Sequence, residues 1–183
     1  STDWNLILVN RDNQQEEKTP DLTQIGEVQV DSRIAENTRQ FLAAAQAIAP
    51  EETLISGYRS RAEQEELYNE KVAGEVAKGL SNEEAVSIVL KQVQLPGASE
   101  HQTGLAIDMS VPEGQEDELA AKIAELAPQY GFVLRYPDGK SDITGVDFEN
   151  WHYRYVGVEN AQYMQKHNLV LEEYIALLKA AGK

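Results

Sequence analysis

At 183 residues the chain suits one domain, long enough to bury a core without staples. Its 16 Lys+Arg against 31 Asp+Glu leave a formal charge of −15, which argues against nucleic acid or an anionic membrane as the main partner, because both need clustered basic charge. No cysteine is present, so disulfides and thiolate chemistry are excluded.

Residues 10–24 (NRDNQQEEKTPDLTQ) are polar and include Pro20, which predicts an extended arm or loop. Residues 1–31 as a whole read as an N-terminal arm leading into a single domain over 1–183. Ile34, Thr38, Phe41, Leu42, Ala45 and Ile48 follow helical spacing, and Pro50 ends that helix. "TLISGYR" reads as a strand running into a turn. Ser60-Arg61-Ala62-Glu63 and Ser81-Asn82-Glu83-Glu84 are capping boxes, so residues 60–94 predict two helices, with Gly74 and Gly79 weakening the pattern between them. Leu119, Ile123 and Leu126 mark a helix that stops near Pro128 and Gly131. "GFVLRY" and "WHYRYV" are rich in β-branched and aromatic residues and predict strands, their aromatics belonging to the core. Two helices close the chain, around 159–167 and 171–181. The connections are too short for regular βαβ units. The pattern is α+β, with a small, mostly antiparallel sheet flanked by helices.

The stretch "GASEHQTGLAIDMS", residues 97–110, has a lopsided strand in it. Leu105, Ile107 and Met109 make one apolar face, while Gly104, Ala106, Asp108 and Ser110 leave the other nearly bare. Of the three histidines, His101 and His152 stand near chemistry-bearing acids. His101 precedes Asp108 by seven positions, and Glu149 precedes His152 by three. Zinc is commonly held by three ligands drawn from His and Asp/Glu with a fourth position open, and His101, Asp108 and His152 supply such a set. The bare face is then room for an ion and a substrate. Residues i and i+3 of one straight strand face opposite ways, so Glu149 reaches that site only if it lies in a bend before the strand. There it can take a proton from an attacking water. The helix-borne H-E-x-x-H arrangement is absent.

Each of these features also has a plainer reading. His152 between Trp151 and Tyr153 can be a satisfied strand histidine, Asp108 can cap a turn, and a lone E-x-x-H arises often by chance. Arg59, where strand meets capped helix, can be a surface arginine or can meet a carboxylate. His167, near a helix end, reads as a solvated residue favourable to the helix dipole.

Several ordered blocks carry a resemblance that separates these readings. "SGYRSRAEQ", "SEHQTGLAIDMS", "YGFVLRYP", "TGVDFENWHYRYVG" and "VLEEYIALL" together resemble the VanY/LdcB-type zinc carboxypeptidases, which trim D-alanine from peptidoglycan stem peptides. The likeness runs from about Trp4 to about Leu178. It implies the fold of lysostaphin-type endopeptidases and the hedgehog signalling domain, a small antiparallel sheet carrying one zinc among helices. By resemblance His101, Asp108 and His152 are the zinc ligands, and Glu149 is the catalytic base. Arg59 holds the peptide near the developing oxyanion or the terminal carboxylate, and Gln64, Ser99 and Tyr136 line the substrate cleft. Asn150 departs from the proline that many relatives carry between Glu and Trp, a change expected to affect the bend rather than the chemistry.

The resemblance implies metal-assisted hydrolysis of the last amide of a stem peptide, with a slight preference for an L,D-carboxypeptidase acting on tetrapeptides. The alternatives are a D,D-carboxypeptidase or D,D-dipeptidase on D-Ala-D-Ala ends, and a hedgehog-like module that keeps zinc without turnover. The implied partner is the stem peptide, the implied state a monomer, and the implied place the cell-wall side of the membrane. No apolar run approaches a membrane span, and Ser1 opens no recognisable signal peptide, so an exported protein would have its targeting segment outside this sequence.

Overall fold

A computed structural model describes residues 3–183. The expected arm is only partly an arm. After a single 3₁₀ turn at Trp4–Leu6, the chain runs extended to a two-stranded hairpin, β1 (Leu22–Ile25) and β2 (Val28–Asp31), turning at Gly26. The sequence reading missed this hairpin because it weighed Pro20 and the flanking charges. The alternation Ile25, Val28, Val30 buries one side of it in the core. Ser1 and Thr2, also assigned to the arm, lie outside the described residues.

The expected first helix is α1 (Ala35–Ile48), which buries Ala35, Thr38, Phe41 and Ala45. β3 (Thr53–Ser56) follows, then α2 (Arg61–Ala77) and α3 (Asn82–Val89). Both capping boxes form as predicted, each hydroxyl accepting from the backbone N–H three residues on and each glutamate reaching back. A cap of this kind stabilises a helix by ~1 kcal/mol. β4 (Ala106–Ser110), α4 (Asp117–Leu126) and β5 (Phe132–Leu134) come next. The short α5 (Ser141–Thr144) was not anticipated; β6 (His152–Tyr155), α6 (Val158–Lys166) and α7 (Leu171–Ala180) were.

Four strands form one antiparallel sheet in the order β3-β4-β6-β5. Leu105, Ile107, Met109 and Tyr153 go to one face, where Phe41 of α1 packs edge-on to Tyr153 at 4.9 Å and stacked against Phe132 at 5.2 Å. Full burial of one such aromatic is worth roughly 1.5–3 kcal/mol. A second cluster, Val133 and Val156 with Met164, Leu171 and Ile175 of α6 and α7, covers the other face at the β5 end. Toward β3 that second face stays open. Trp151 departs from expectation: it precedes β6 and is 40% exposed rather than in the core. His167 sits exposed at the end of α6, as read from the sequence. Among the described residues, no helix is long and apolar enough to cross a membrane.

Candidate active site and metal centre

Three devices bring His101, Asp108 and His152 together. The first is the turn before β4. The Ser99 hydroxyl accepts from the His101 backbone N–H at 3.3 Å and opens a 3₁₀ turn that carries His101. Gly104 ends that turn with φ 77°, and a Cβ there would stand 2.9 Å from the Asp31 nitrogen. Only glycine suits a left-handed residue in so close an approach. The second device is register: Asp108 of β4 lies directly across from His152 of β6. The third is a bulge in β3 between Leu54 and Ser56, which sets Ser56 opposite Asp108 and leaves Ile55 exposed.

The outcome is one ligand atom each from His101, Asp108 and His152, all within 4.8 Å of one another. His101 Nε2 is 3.5 Å and His152 Nδ1 3.2 Å from Asp108 Oδ1. The far nitrogen of each ring is already engaged. His101 Nδ1 meets the Gly57 carbonyl at 2.8 Å, and His152 Nε2 meets Glu100 Oε1 at 2.9 Å. Such partners fix which nitrogen faces a metal. Asp108 Oδ1 is buried and has no hydrogen-bond partner, while Oδ2 accepts from the Ser56 hydroxyl. A buried carboxylate oxygen set between two imidazoles, each with its far nitrogen already engaged, fits a cation.

Burial alone would depress the His152 imidazole, but Asp108 and Glu100 outweigh it and raise its pKa to about 10. A proton therefore occupies His152 at neutral pH in the metal-free chain, and a metal must displace it. Zinc uptake at pH 7 should release at least one proton, so apparent affinity should rise with pH through the neutral range. Calorimetric titration in buffers of different ionisation enthalpy measures that proton. Heats that do not depend on buffer would count against it.

Glu149 lies in the bend before β6, its backbone N–H donating to the Tyr136 carbonyl at 3.0 Å. Its Oε1 is 3.9 Å from His152 Nδ1, and it is not one of the three converging residues. Burial above all pushes its carboxyl up to about 7; His152 opposes this, while Asp108 and Asp147 add to it. Asn150, in place of proline, donates to the Asp117 carboxylate at 2.9 Å and so pins the bend by other means.

Arg59, between β3 and α2, lines the same cleft. Its backbone N–H donates to the His101 carbonyl at 3.1 Å, and its Nη2 lies 4.0 Å from Asp108 Oδ2. Burial lowers its pKa, with Asp108, Glu63 and Glu149 opposing. Gln64 is 2% exposed: its Oε1 accepts from Arg59 Nη1 at 2.7 Å, and its amide donates to the Gln94 carbonyl at 2.7 Å. Gln64 thus aims Arg59. The Tyr136 ring packs 4.8 Å from His152. All eight sequence-assigned residues line a single cleft of about 530 Å³, rimmed by the exposed apolar side chains Ile55, Phe148 and Trp151. The sequence reading missed Ser56, Gly57 and Glu100 as partners of the ligands, and Trp151 as a cleft residue. Glu100 sits inside the "SEHQ" block, which was its one visible signal.

The VanY family, D-alanyl-D-alanine carboxypeptidase, matches residues 27–158. The chain belongs to this family. It is 38% identical over 177 residues to a D-alanyl-D-alanine carboxypeptidase of Enterococcus faecalis, covering 94% of this chain and 66% of that protein, just under two thirds of its length. The solved structure of VanYB in complex with D-alanine-D-alanine matches with a TM-score of 0.88 at 38% identity, over 95% of this chain and 98% of that one. A VanY variant in complex with Zn(II) matches with a TM-score of 0.87 at 38% identity, over 94% of this chain and 99% of that one. The LdcB LD-carboxypeptidase gives 0.75 at 30% identity, over 94% of this chain and 86% of that one. The α+β architecture is therefore that of the VanY enzymes, and His101, Asp108 and His152 form a candidate metal site within it.

Proposed function

We propose that this VanY-family chain is a zinc carboxypeptidase that releases the terminal D-alanine from stem peptides ending in D-Ala-D-Ala. One observation carries the reading: Glu149 stands beside the converging His101, Asp108 and His152, with Arg59 held by Gln64 near Asp108, all in one open cleft. When bound there, zinc supplies Lewis acidity toward the scissile carbonyl and an attacking water. His101, Asp108 and His152 hold it, and their outer partners orient them. Glu149 takes the proton of the attacking water and returns it to the leaving amine. Arg59 meets the developing oxyanion or the terminal carboxylate, and Tyr136 and Ser99 complete the wall.

The sequence-level preference for tetrapeptides yields to the D,D end here. The likeness to VanYB, 38% identical with a TM-score of 0.88, exceeds that to LdcB, at 30% and 0.75. A peptidoglycan substrate would put the protein on the cell-wall side of the membrane. Mass spectrometry of purified tetra- and pentapeptide stems after incubation tests the substrate. Loss of one alanine from the pentapeptide supports the reading; trimming of the tetrapeptide alone returns it to an L,D enzyme, and no release from either leaves a binding module.

Capture of a free carboxylate gives a second test. Amidating the terminal D-alanine should lower kcat/KM by roughly a hundredfold, since a charge-assisted contact worth ~2–3 kcal/mol is lost. Arg59→Lys should also impair release, because an ammonium lacks the two-pronged geometry of a guanidinium. Equal rates on acid and amide would point to an endopeptidase.

A further inference from the structure

The block "VLEEYIALL" has no part in the chemistry above, yet its first glutamate is wired to the metal centre. Glu100 Oε1 receives His152 Nε2 at 2.9 Å, and its Oε2 accepts from Arg135 Nε at 3.1 Å and Arg154 Nη1 at 3.0 Å. Arg135 then turns its two remaining nitrogens to Glu172 of α7, Nη1 to Oε1 at 2.8 Å and Nη2 to Oε2 at 2.7 Å. The side chains of Glu100, Arg135 and Arg154 are 0% exposed, and that of Glu172 is 14% exposed. Asn10, from the N-terminal segment, donates to Glu172 Oε2 at 3.0 Å. A continuous chain of charge-assisted hydrogen bonds therefore runs from α7 to the outer nitrogen of a metal-facing imidazole.

We infer that Glu172 is a positioning residue for the zinc centre, acting on His152 through Arg135 and Glu100. The charges in the chain balance: two arginines against Glu100 and Glu172. Arg135 divides its positive charge between the two carboxylates. With Glu172 neutralised, both arginines would bear on Glu100 alone. Glu100 would become a weaker acceptor for His152, and the His152 nitrogen facing the metal a poorer donor. A salt bridge that merely tied α7 to the sheet would be satisfied by one arginine and one glutamate. Here the arginine is shared with a carboxylate whose other oxygen serves a ligand, and every member but Glu172 is sealed from water. In that dry setting charge rearrangement is transmitted instead of screened.

The inference rests on the metal-centre reading, and the wild-type zinc content checks that reading separately. Glu172→Gln is nearly isosteric; it removes the charge and turns one of the two accepting oxygens into an NH2 donor. Zinc Kd, measured by chelator competition on the full chain, should rise about three- to tenfold, less than the roughly 10–100-fold seen when the immediate partner of a ligand is lost. Glu172→Asp keeps the charge and should fall between wild type and Gln. The visible bands of the cobalt-loaded protein should shift in Glu172→Gln, which a purely structural tie would not cause. A folded Glu172→Gln with lowered thermal stability but unchanged Kd and cobalt spectrum overturns the inference. Where Glu172→Gln does not fold, Glu172→Asp decides, with a Kd raised about twofold expected and an unchanged Kd overturning it. A wild-type protein that binds no zinc would instead refute the metal centre itself.

Discussion

Glu149→Ala should abolish D-alanine release while leaving the zinc in place. The carboxylate lies outside the set of three converging ligand atoms, with Oε1 3.9 Å from His152 Nδ1, so its loss removes no ligand. General acid–base help is worth ~10²–10⁴ in rate, and one group here serves both the attack and the departure of the amine. The loss should therefore fall at the upper end, in kcat far more than in KM. The pH profile carries an independent sign. Burial holds the Glu149 carboxyl at about 7 in the metal-free chain, and a nearby dication lowers it. The base form exists above that value, so wild-type activity should fall as pH drops through an acid limb below 7. Glu149→Gln should flatten what remains of the limb. Near-normal release by purified Glu149→Ala would sink the mechanism, and loss of its zinc would move Glu149 among the ligands.

Much of this site was legible because its logic is local. His101 and Asp108 stand out as candidate ligands in one short stretch, with the small residues Gly104 and Ala106 between them; that Ser99 caps the turn and Gly104 ends it in the left-handed region came only from the structure. Period-two alternation separated Leu105, Ile107 and Met109 from the metal face, and the structure buries all three. Glu149 was placed correctly in a bend by the same rule, since no straight strand puts it beside His152. The hairpin at 22–31 was not legible because strands of four residues in a polar stretch gain their stability from tertiary packing rather than propensity. The ionic chain behind His152 was hidden for a different reason. Arg135 and Arg154 lie among apolar strand residues, and only their partners 35, 37 and 54 positions away explain why they are buried. A strand arginine two positions from a ligand histidine, as Arg154 is from His152, shares its face and was the overlooked signal.

Asp108→Ala should empty the metal centre. This carboxylate is the sole anion among the three ligands, and its Oδ1 has no other partner, whereas both imidazoles keep their outer hydrogen bonds without it. Two neutral imidazoles alone, with Arg59 nearby and no longer faced by Asp108, present a dication with a weaker field and a repelling neighbour. Wild-type protein should hold about one zinc per chain. Asp108→Ala should retain little after dialysis against a mild chelator, and its activity should not return on adding zinc, whereas chelated wild type should recover. Thermal unfolding separates metal loss from damage to the fold. Free zinc at about a hundred times Kd stabilises a binding-competent chain by ~2.7 kcal/mol. For a domain of this size that should raise the wild-type Tm by about 5–10 °C. Asp108→Ala should unfold cooperatively yet show no such rise. The side chain also accepts from Ser56, so the metal-free variant should be less stable than metal-free wild type, by about 0.5–1.5 kcal/mol for that part-buried hydrogen bond. An Asp108→Ala protein with full zinc by elemental analysis and a zinc-dependent Tm would remove Asp108 from the coordination set and turn attention to Glu149, whose carboxylate lies on the same Nδ1 side of His152.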